Sequence, residues 1–328
     1  MPSSTLSIVS AEGPLLDRIL DSTHEIWHDG LSRPAYGRYN AAQLKTPWGR
    51  AHLRRTALVD GDTVLASAKL YELCAALDGR RVRVIGIGAL FTQPEQRGRG
   101  HARLLVERIL ERATHQGFAV ALLFSEIGDE YYRRLGFTTI RTTDLMLRVL
   151  EPGDRGAPAI GVRAGDDRDL GAIAAMGRER AALYRFHLER DPDLIQYGLS
   201  KKRLLAGLGQ AGARQVEFFV AEEGASPVAY VVVSVRSEVE WVLEECGDRD
   251  ISGARVGAIL QTLLAREPSE RRRTIVARLP PGFLPSQLTI ADTRPTAEVL
   301  MVRPLEPGAE AVKLLAAGDV LYWHADLF

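Results

Sequence analysis

Residues 96–103 read QRGRGHAR and join an apolar segment to an amphipathic one. Residues 82–92 before them are apolar and rich in β-branched side chains, which predicts a buried strand. Residues 102–115 after them place leucine and isoleucine on one helical face, and Gly117 predicts the end of that helix. We therefore predict a loop that leads from a strand into the N-terminus of a helix.

The composition of this loop favours an anionic ligand. The first N–H groups of a helix have no intrahelical partner, and the helix dipole adds positive potential there. Gly98 and Gly100 have no Cβ, so the oxygens of a phosphate can approach the backbone. Arg97, Arg99 and Arg103 add positive charge. The residues together predict a phosphate-binding loop.

Two other phosphate-binding motifs are excluded. A Walker loop requires GxxxxGK followed by serine or threonine, and the sequence contains no such string. A dinucleotide-binding fingerprint requires GxGxxG, but the sixth position here is Arg103.

The chain resembles the GNAT superfamily of N-acetyltransferases over residues 6–149. Three short motifs of that superfamily occur here in the usual order: Leu-x-Val-x-Pro, then (Q/R)xxGx(G/A), then Tyr-x-x-x-Gly-Phe. The matching residues are Leu90, Pro94, Arg97, Gly100, Ala102, Tyr132, Gly136 and Phe137, with Thr92 in place of the usual valine.

This resemblance implies an α/β (α+β) fold with a mixed, mostly antiparallel central sheet flanked by helices, and acetyl-CoA as co-substrate. The backbone of residues 90–92 would hold the pantetheine arm like an added strand, and residues 98–103 would hold the pyrophosphate. Ser125 stands where many members have an asparagine that contacts the cofactor. The implied cofactor-binding residues are Leu90, Phe91, Thr92, Arg97, Gly98, Arg99, Gly100, His101, Ala102, Arg103 and Ser125.

The chain is predicted to contain two domains. Residues 151–159, EPGDRGAPA, are polar and rich in proline and glycine, which is typical of a linker. Residues 1–150 would form the GNAT-like catalytic domain that binds acetyl-CoA. After the linker the order of strands and helices starts again. Residues 160–328 are therefore predicted to be a degenerate second GNAT-like domain, so that the fold is duplicated as a tandem.

The second domain is not expected to bind CoA. Residues 249–254 align with residues 97–102 and also precede an amphipathic segment. In this alignment Ser252 replaces Gly100, and the surrounding carboxylates would repel phosphates.

Two further resemblances concern the acceptor and the end of the chain. A GNAT domain followed by a degenerate one is similar to the Eis type, in which the chain terminus reaches the active site. That similarity implies that the tail, which reads LYWHADLF, docks on the first domain. Residues 123–137 resemble fungal lysine N-acetyltransferases, which implies a small amine acceptor: an amino acid such as lysine, a polyamine or an aminoglycoside-like compound. The aromatic residues 27–48 are expected to line the acceptor side.

The catalytic candidates are Tyr132 and Phe328. A tyrosine phenol, with an ordinary pKa near about 10, is protonated at neutral pH and can act as a general acid. The resemblance puts Tyr132 beside the thioester sulfur, and no chemistry is expected of Tyr131. Residues 82–90 lack the glutamate that many members use as the base. Three replacements stay open: Glu126, a chain of water molecules, and a terminal carboxylate on Phe328.

Composition excludes several classes of function. Lys plus Arg equals Asp plus Glu, at 42 each, which argues against nucleic-acid binding. Cys74 and Cys246 are too few for a disulfide framework or a cysteine-rich zinc site, and we expect no metal. The chain lacks a signal-peptide pattern and a long apolar run, so we expect a cytoplasmic location and no membrane partner. A homo-oligomer stays open. The alternatives to a small-molecule enzyme are a non-catalytic acyl-CoA-binding regulatory module and an acetyltransferase of protein lysines or N-termini.

Overall fold

The computed structural model describes residues 6–150, 161–236, 240–267 and 274–328. The helices are α1 (Gly13–Trp27), α2 (Arg33–Gln43), α3 (Pro47–His52), α4 (His101–His115), α5 (Glu130–Arg133), α6 (Leu170–Ala181), α7 (Pro192–Leu208) and α8 (Ala254–Ala265). The strands are β1 (Leu6–Ser10), β2 (Leu53–Asp60), β3 (Thr63–Leu77), β4 (Arg80–Thr92), β5 (Val120–Ser125), β6 (Thr138–Ile140), β7 (Thr143–Val149), β8 (Gly161–Ala164), β9 (Phe186–Leu188), β10 (Arg214–Glu223), β11 (Ser226–Arg236), β12 (Glu240–Asp248), β13 (Ile275–Ala277), β14 (Leu288–Pro295), β15 (Val299–Pro304) and β16 (Val320–Leu321).

The first sheet has the strand order β1-β2-β3-β4-β5-β15-β6, and β9 and β16 extend it beside β3. Its pairs are antiparallel except for β4 with β5 and β9 with β16. Parallel neighbours need a crossover connection, and α4 provides it between β4 and β5. One face of α4 is buried, including Leu105 and Ile109. Burial of each such side chain stabilises the fold by about 1.5–3 kcal/mol.

The second sheet repeats this arrangement, with the order β14-β7-β13-β12-β11-β10-β8. Here β12 and β13 are the parallel neighbours, and α8 connects them. The predicted fold is therefore confirmed: two mostly antiparallel sheets flanked by helices, with one topology used twice.

The two sheets exchange a strand. The predicted first domain, residues 1–150, contains the sequence of β7, but β7 pairs with β13 and β14 of the second sheet. In return β15 lies between β5 and β6 of the first sheet. The sequence did not indicate this pairing, because a strand's sequence specifies its pattern and not its partner. The predicted linker, residues 151–159, lies outside the described residues, and the division into domains stays a prediction.

A buried arginine joins the two exchanged strands. The guanidinium of Arg278, which follows β13, lies 2.6 Å from Oδ1 of Asp144 on β7 and 2.8 Å from Oε2 of Glu298 next to β15. Its side chain is only 5% exposed. Because Arg presents several donors in a fixed plane, one side chain can hold both carboxylates.

Residues 27–48 are more regular than their weak periodicity suggests, since they contain α2 and α3. The side chain of Ser32 caps α2 and that of Thr46 caps α3, and each helix has a proline in its first turn. In the sequence, these capping residues and prolines indicated where the two helices begin. None of the helices in the described ranges is long and apolar enough to cross a membrane.

Candidate active site

Strand β4 contains a bulge. Ser67 pairs with Phe91 but Lys69 pairs with Gly88, so β4 has one residue more than β3 over this interval. Ala89 lies inside the bulge with a φ of 46°, a conformation that is rare for residues other than glycine. Bulges break the regular pairing of a strand and occur often beside active sites. The backbone around Ala89 is thus turned out of the β3–β4 ladder.

Beyond the bulge, β4 has a free edge. Its parallel pairing with β5 runs from Val84 with Val120 to Gly86 with Leu122, and no later pair joins the two strands within the described residues. The strands therefore splay apart, and residues 90–92 expose backbone groups to the space between them. An extended chain such as a pantetheine arm can bind there as an added strand.

The predicted phosphate loop is exposed and open. Gly98 and Gly100 have φ values of 77° and 80°, and nothing lies within 4 Å of a Cβ built on either. Helix α4 begins at His101, and no described side chain caps it. Its first N–H groups, including those of Ala102 and Arg103, are therefore available to an anion.

The arginines of the loop differ in their contacts. Nε of Arg97 donates to the carbonyl of Thr92 at 3.3 Å, which ties the loop to the end of β4. Arg103 forms an ion pair with Glu107 one turn later, at 2.8 Å. Arg99 is exposed.

The second sheet has a corresponding helix start, but it is occupied by the chain's own groups. Helix α8 is preceded by Gly253 with a φ of 68°, so Gly253, and not Ser252, is the counterpart of Gly100. The predicted alignment was wrong by one residue. A carboxylate oxygen of Asp248 accepts the backbone N–H of Arg255 at 2.9 Å, and a Cβ on Gly253 would lie 2.5 Å from the ring of Phe283. Of the two helix starts, the one at α4 is open.

A cavity of about 400 Å³ lies between the two halves at the splayed ends of β4 and β5. Of the predicted site residues, it brings together Leu90, Ser125, Tyr132 and Phe328. The loop residues from Arg97 to Arg103 do not line this cavity and lie on the outer surface beyond it. The site therefore has an enclosed part and an exposed part. The cofactor-binding roles of these residues stay predictions.

Tyr132 is buried at the cavity on the short helix α5. Its ring makes edge contacts with Tyr131 at 5.0 Å and Phe137 at 6.0 Å between centroids. Burial, followed by the neighbouring Tyr131 phenol, raises the pKa of Tyr132 to about 12. The hydroxyl therefore keeps its proton over the whole physiological range.

Phe328 is partly buried and packs against the core of the first half. Its ring stacks on Tyr71 at 4.2 Å and meets Phe124 edge-on at 5.2 Å. The ring covers Gly86, and the carbonyl carbon of Phe328 would lie 3.2 Å from a Cβ on Gly88. Phe328 therefore lies directly beside the β4 bulge. The pair of glycines in VRVIGIGAL was the sequence sign of this contact.

The other two residues considered at the end of β5 differ in exposure. The hydroxyl of buried Ser125 donates to the carbonyl of Gly128, so it is used within its own turn. Glu126 is exposed at the cavity mouth. Partial burial, then the carboxylates of Glu298 and Asp29, raise its pKa.

Part of the aromatic segment, residues 27–48, lines the cavity as expected. Trp27, Tyr36 and Tyr39 line the cavity. Trp48 instead packs in the core, 4.7 Å from the ring of Tyr197.

Sequence reasoning missed three cations that line the cavity, Arg55, Lys69 and Lys201. They come from β2, β3 and α7, and nothing local in the sequence indicates that they meet. Within the described ranges, no group of three or more His, Cys, Asp or Glu side chains is arranged to hold a metal ion.

A free strand edge at residues 90–92 beside an open helix start agrees with what the GNAT resemblance implies for binding an acyl-CoA. Residues 23–140 match the family model of the acetyltransferase (GNAT) domain. This part of the chain is similar to that acetyltransferase domain, and a second sheet of the same topology accompanies it. No curated protein matches the chain in sequence.

Solved structures share the whole fold at low identity. A GCN5-related N-acetyltransferase from Kribbella flavida is 20% identical, with a TM-score of 0.68 over 93% of this chain and 72% of the other. Eis1 from Mycobacterium abscessus is 19% identical, with a TM-score of 0.52 over 84% of this chain and 72% of the other. A tandem GNAT protein from the clavulanic acid biosynthesis pathway is 12% identical, with a TM-score of 0.52 over 92% of this chain and 99% of the other.

Proposed function

We propose that the protein is an acetyl-CoA-dependent N-acetyltransferase that acts on the primary amine of a small molecule. The observation that carries the proposal is the meeting of three features at one cavity: the β4 bulge, the diverging end of β5 and the protonated hydroxyl of Tyr132. The open start of α4 follows β4 directly and supplies an anion site for the pyrophosphate.

The chemistry requires two proton movements. The neutral amine attacks the thioester carbonyl, a C–N bond forms and the C–S bond breaks. Tyr132 donates its proton to the departing thiolate, and the nitrogen of the new amide loses one proton to a base. Backbone N–H groups at the β4 bulge would polarise the carbonyl oxygen.

The base has three candidates. Glu126 lines the mouth, and its raised pKa favours proton uptake. The carbonyl group of Phe328 lies beside Gly88 at the bulge, which supports the predicted carboxylate there. A water chain through the cavity is the third.

Walls from both halves of the chain around the cavity favour a small acceptor over a protein side chain. Residues of the second half, including Lys201, Leu205 and Val216, form one wall opposite the β4 bulge. The volume of about 400 Å³ falls within the range of about 300–1,000 Å³ that is usual for small-molecule sites.

The proposal is tested by thiol release from acetyl-CoA with a panel of primary amines. We expect turnover by the unaltered protein and a loss of about 10²–10⁴-fold in kcat for Tyr132→Phe, since a general acid contributes that much. Tyr131→Phe is the matched control and should keep its activity. Tight CoA binding without turnover on any amine would indicate a binding module. Acetylation of peptides alone would indicate a protein-modifying enzyme.

Two further variants distinguish the three candidate bases. Removal of Phe328 and Glu126→Gln each eliminate one candidate, and the one that flattens the acidic limb of the pH–rate profile identifies the base. Full activity in both variants would leave the water chain.

A further inference from the structure

Three cations line the cavity without a carboxylate partner. Arg55 donates to Oδ1 of Asn40, Lys69 lies 3.3 Å from Oε1 of Gln43, and Lys201 lies 2.6 Å from the carbonyl oxygen of Leu327. All three acceptors are neutral. Among the described residues, none of the three cations has an acidic group within 4.0 Å.

Other charges of the same cavity are paired. Lys202 lies 2.9 Å from Glu244, and Arg214 lies 3.2 Å from Asp29. The carboxylate of Glu298 is held by Arg278 at 2.8 Å. Among the described carboxylates that line the cavity, Glu126 is the one that remains without a cationic partner, and it is exposed at the mouth. The unbalanced charge inside the cavity is therefore positive.

An unpaired cation away from bulk water destabilises the folded protein. Such cations are therefore candidates for a functional role. Each of Arg55, Lys69 and Lys201 is partly exposed, and its free surface lies on the cavity. Burial lowers the pKa of Lys69 well below its ordinary value, and the charges of Arg55 and Lys201 lower it further. An anion bound between them would offset both effects, because it stabilises the charged form of Lys69.

The position of Lys69 ties this charge to the reaction. Lys69 lies directly opposite Gly88 in the β3–β4 pair, at the edge of the bulge. Neighbouring strands are about 4.8 Å apart, so an anion held by Lys69 lies close to the point of acetyl transfer. The carboxylate proposed on Phe328 would balance one of the three cations.

We propose that Arg55, Lys69 and Lys201 bind an anionic group of the acceptor, so that the substrate is a small amine that carries a carboxylate or a phosphate. This rests on the proposed acetyl transfer and names the acceptor class for it. Arg55 offers a planar donor fork that suits both anions, and the two lysines add point charges. A purely cationic acceptor such as a polyamine would be repelled by the same cluster.

The test uses matched acceptor pairs that differ in the anion alone. L-lysine is compared with L-lysinamide, and O-phosphoethanolamine with ethanolamine. We expect the acid of at least one pair to bind the CoA-saturated protein at least tenfold more tightly than its neutral partner, since a hydrogen bond to a charged group supports that ratio. The pair that shows the preference identifies the anion. Equal or better binding of both neutral partners overturns the proposal.

Variants localise the preference. Lys69→Gln and Lys201→Gln should each reduce the affinity for the acid at least tenfold and leave that for the neutral partner unchanged. Lys45→Gln removes the same charge from the exposed surface and is the control. A preference that survives both variants places the anion elsewhere and overturns the assignment.

Failure of the anion site and failure of acetyl transfer give different experimental results. Discrimination between acid and neutral partner in calorimetry, without thiol release, supports the anion site and contradicts acetyl transfer. Thiol release with equal kcat/KM for both partners supports acetyl transfer and contradicts the anion site.

Discussion

The ring of Phe328 occupies the space in which a side chain on Gly86 would lie, since a Cβ built on Gly86 would be 2.5 Å from Cζ of Phe328. The same ring covers Gly88 two residues later. The two glycines in the middle of β4 therefore leave room for Phe328.

We expect Gly86→Ala to reduce the free energy of unfolding by about 1–3 kcal/mol, because overpacking displaces the aromatic ring. Urea denaturation measures this. Gly177→Ala in α6, where nothing lies within 4 Å, is the control and should be neutral or stabilising. In a chain without Phe328 most of the cost of Gly86→Ala should vanish. An unchanged cost there would mean that Phe328 does not occupy this space in solution.

The two helix starts should respond differently to charge. Gly100→Asp puts a carboxylate at the open start of α4 and should raise the Kd for CoA at least tenfold, since like charges repel. Titration with CoA measures this.

The matched change at the second helix start is Asp248→Asn. It weakens the internal cap of α8 and should cost about 1–3 kcal/mol of stability with no change in the Kd for CoA. A weaker CoA affinity in this variant would show that the second helix start also takes part in binding.

Loss of an unpaired cation should stabilise the free protein. We expect Lys69→Gln to raise the free energy of unfolding by on the order of 1 kcal/mol, because burial disfavours the ammonium form of Lys69, lowers its pKa, and is not offset by an acidic partner among the described residues. Thermal unfolding without ligand measures it, and Lys45→Gln on the surface should stay within about 0.5 kcal/mol of the parent. A large destabilisation would indicate that Lys69 serves the fold.

Anion binding should weaken as the pH rises through about 8. Burial, then the charge of Lys202, lowers the pKa of Lys201 to about 8, against the opposing effects of Glu244, Asp326 and Asp29. Below this pH Lys201 is cationic and attracts an anion, and above it the free amine does not.

Acetate is the suitable probe because its charge is constant over this range. We expect its Kd to rise between pH 7 and pH 9, measured by NMR titration, and Lys201→Gln to flatten the profile. An affinity that increases with pH would contradict the assignment.

The sequence predicted what depends on neighbouring residues. The loop around Gly98 and Gly100 and the helix after it are local features, and the structure has the open helix start where they predict it. The duplicated topology also followed from element order. The tail residues of LYWHADLF were predicted to dock, and Phe328 does pack against Tyr71.

What the sequence did not reveal depends on partners far along the chain. Arg55, Lys69 and Lys201 come from three elements, and only the folded chain brings them to one cavity. The pairing of β7 with the second sheet was not predicted for the same reason. The misaligned Ser252 shows a second limit, because a helix start is set by backbone conformation at Gly253 and a degraded motif tolerates a shift of one residue.

The strand exchange has a consequence for synthesis on the ribosome. When residues up to 150 have emerged, β5 and β6 lack the strand between them, and β7 has no sheet to join. The edge of β5 stays unpaired until residues 299–304 are made, and such open edges invite pairing with other chains. The first sheet is therefore completed late in translation. Expressed alone, residues 1–150 should aggregate or recruit chaperones, whereas co-expression with residues 160–328 should rescue them.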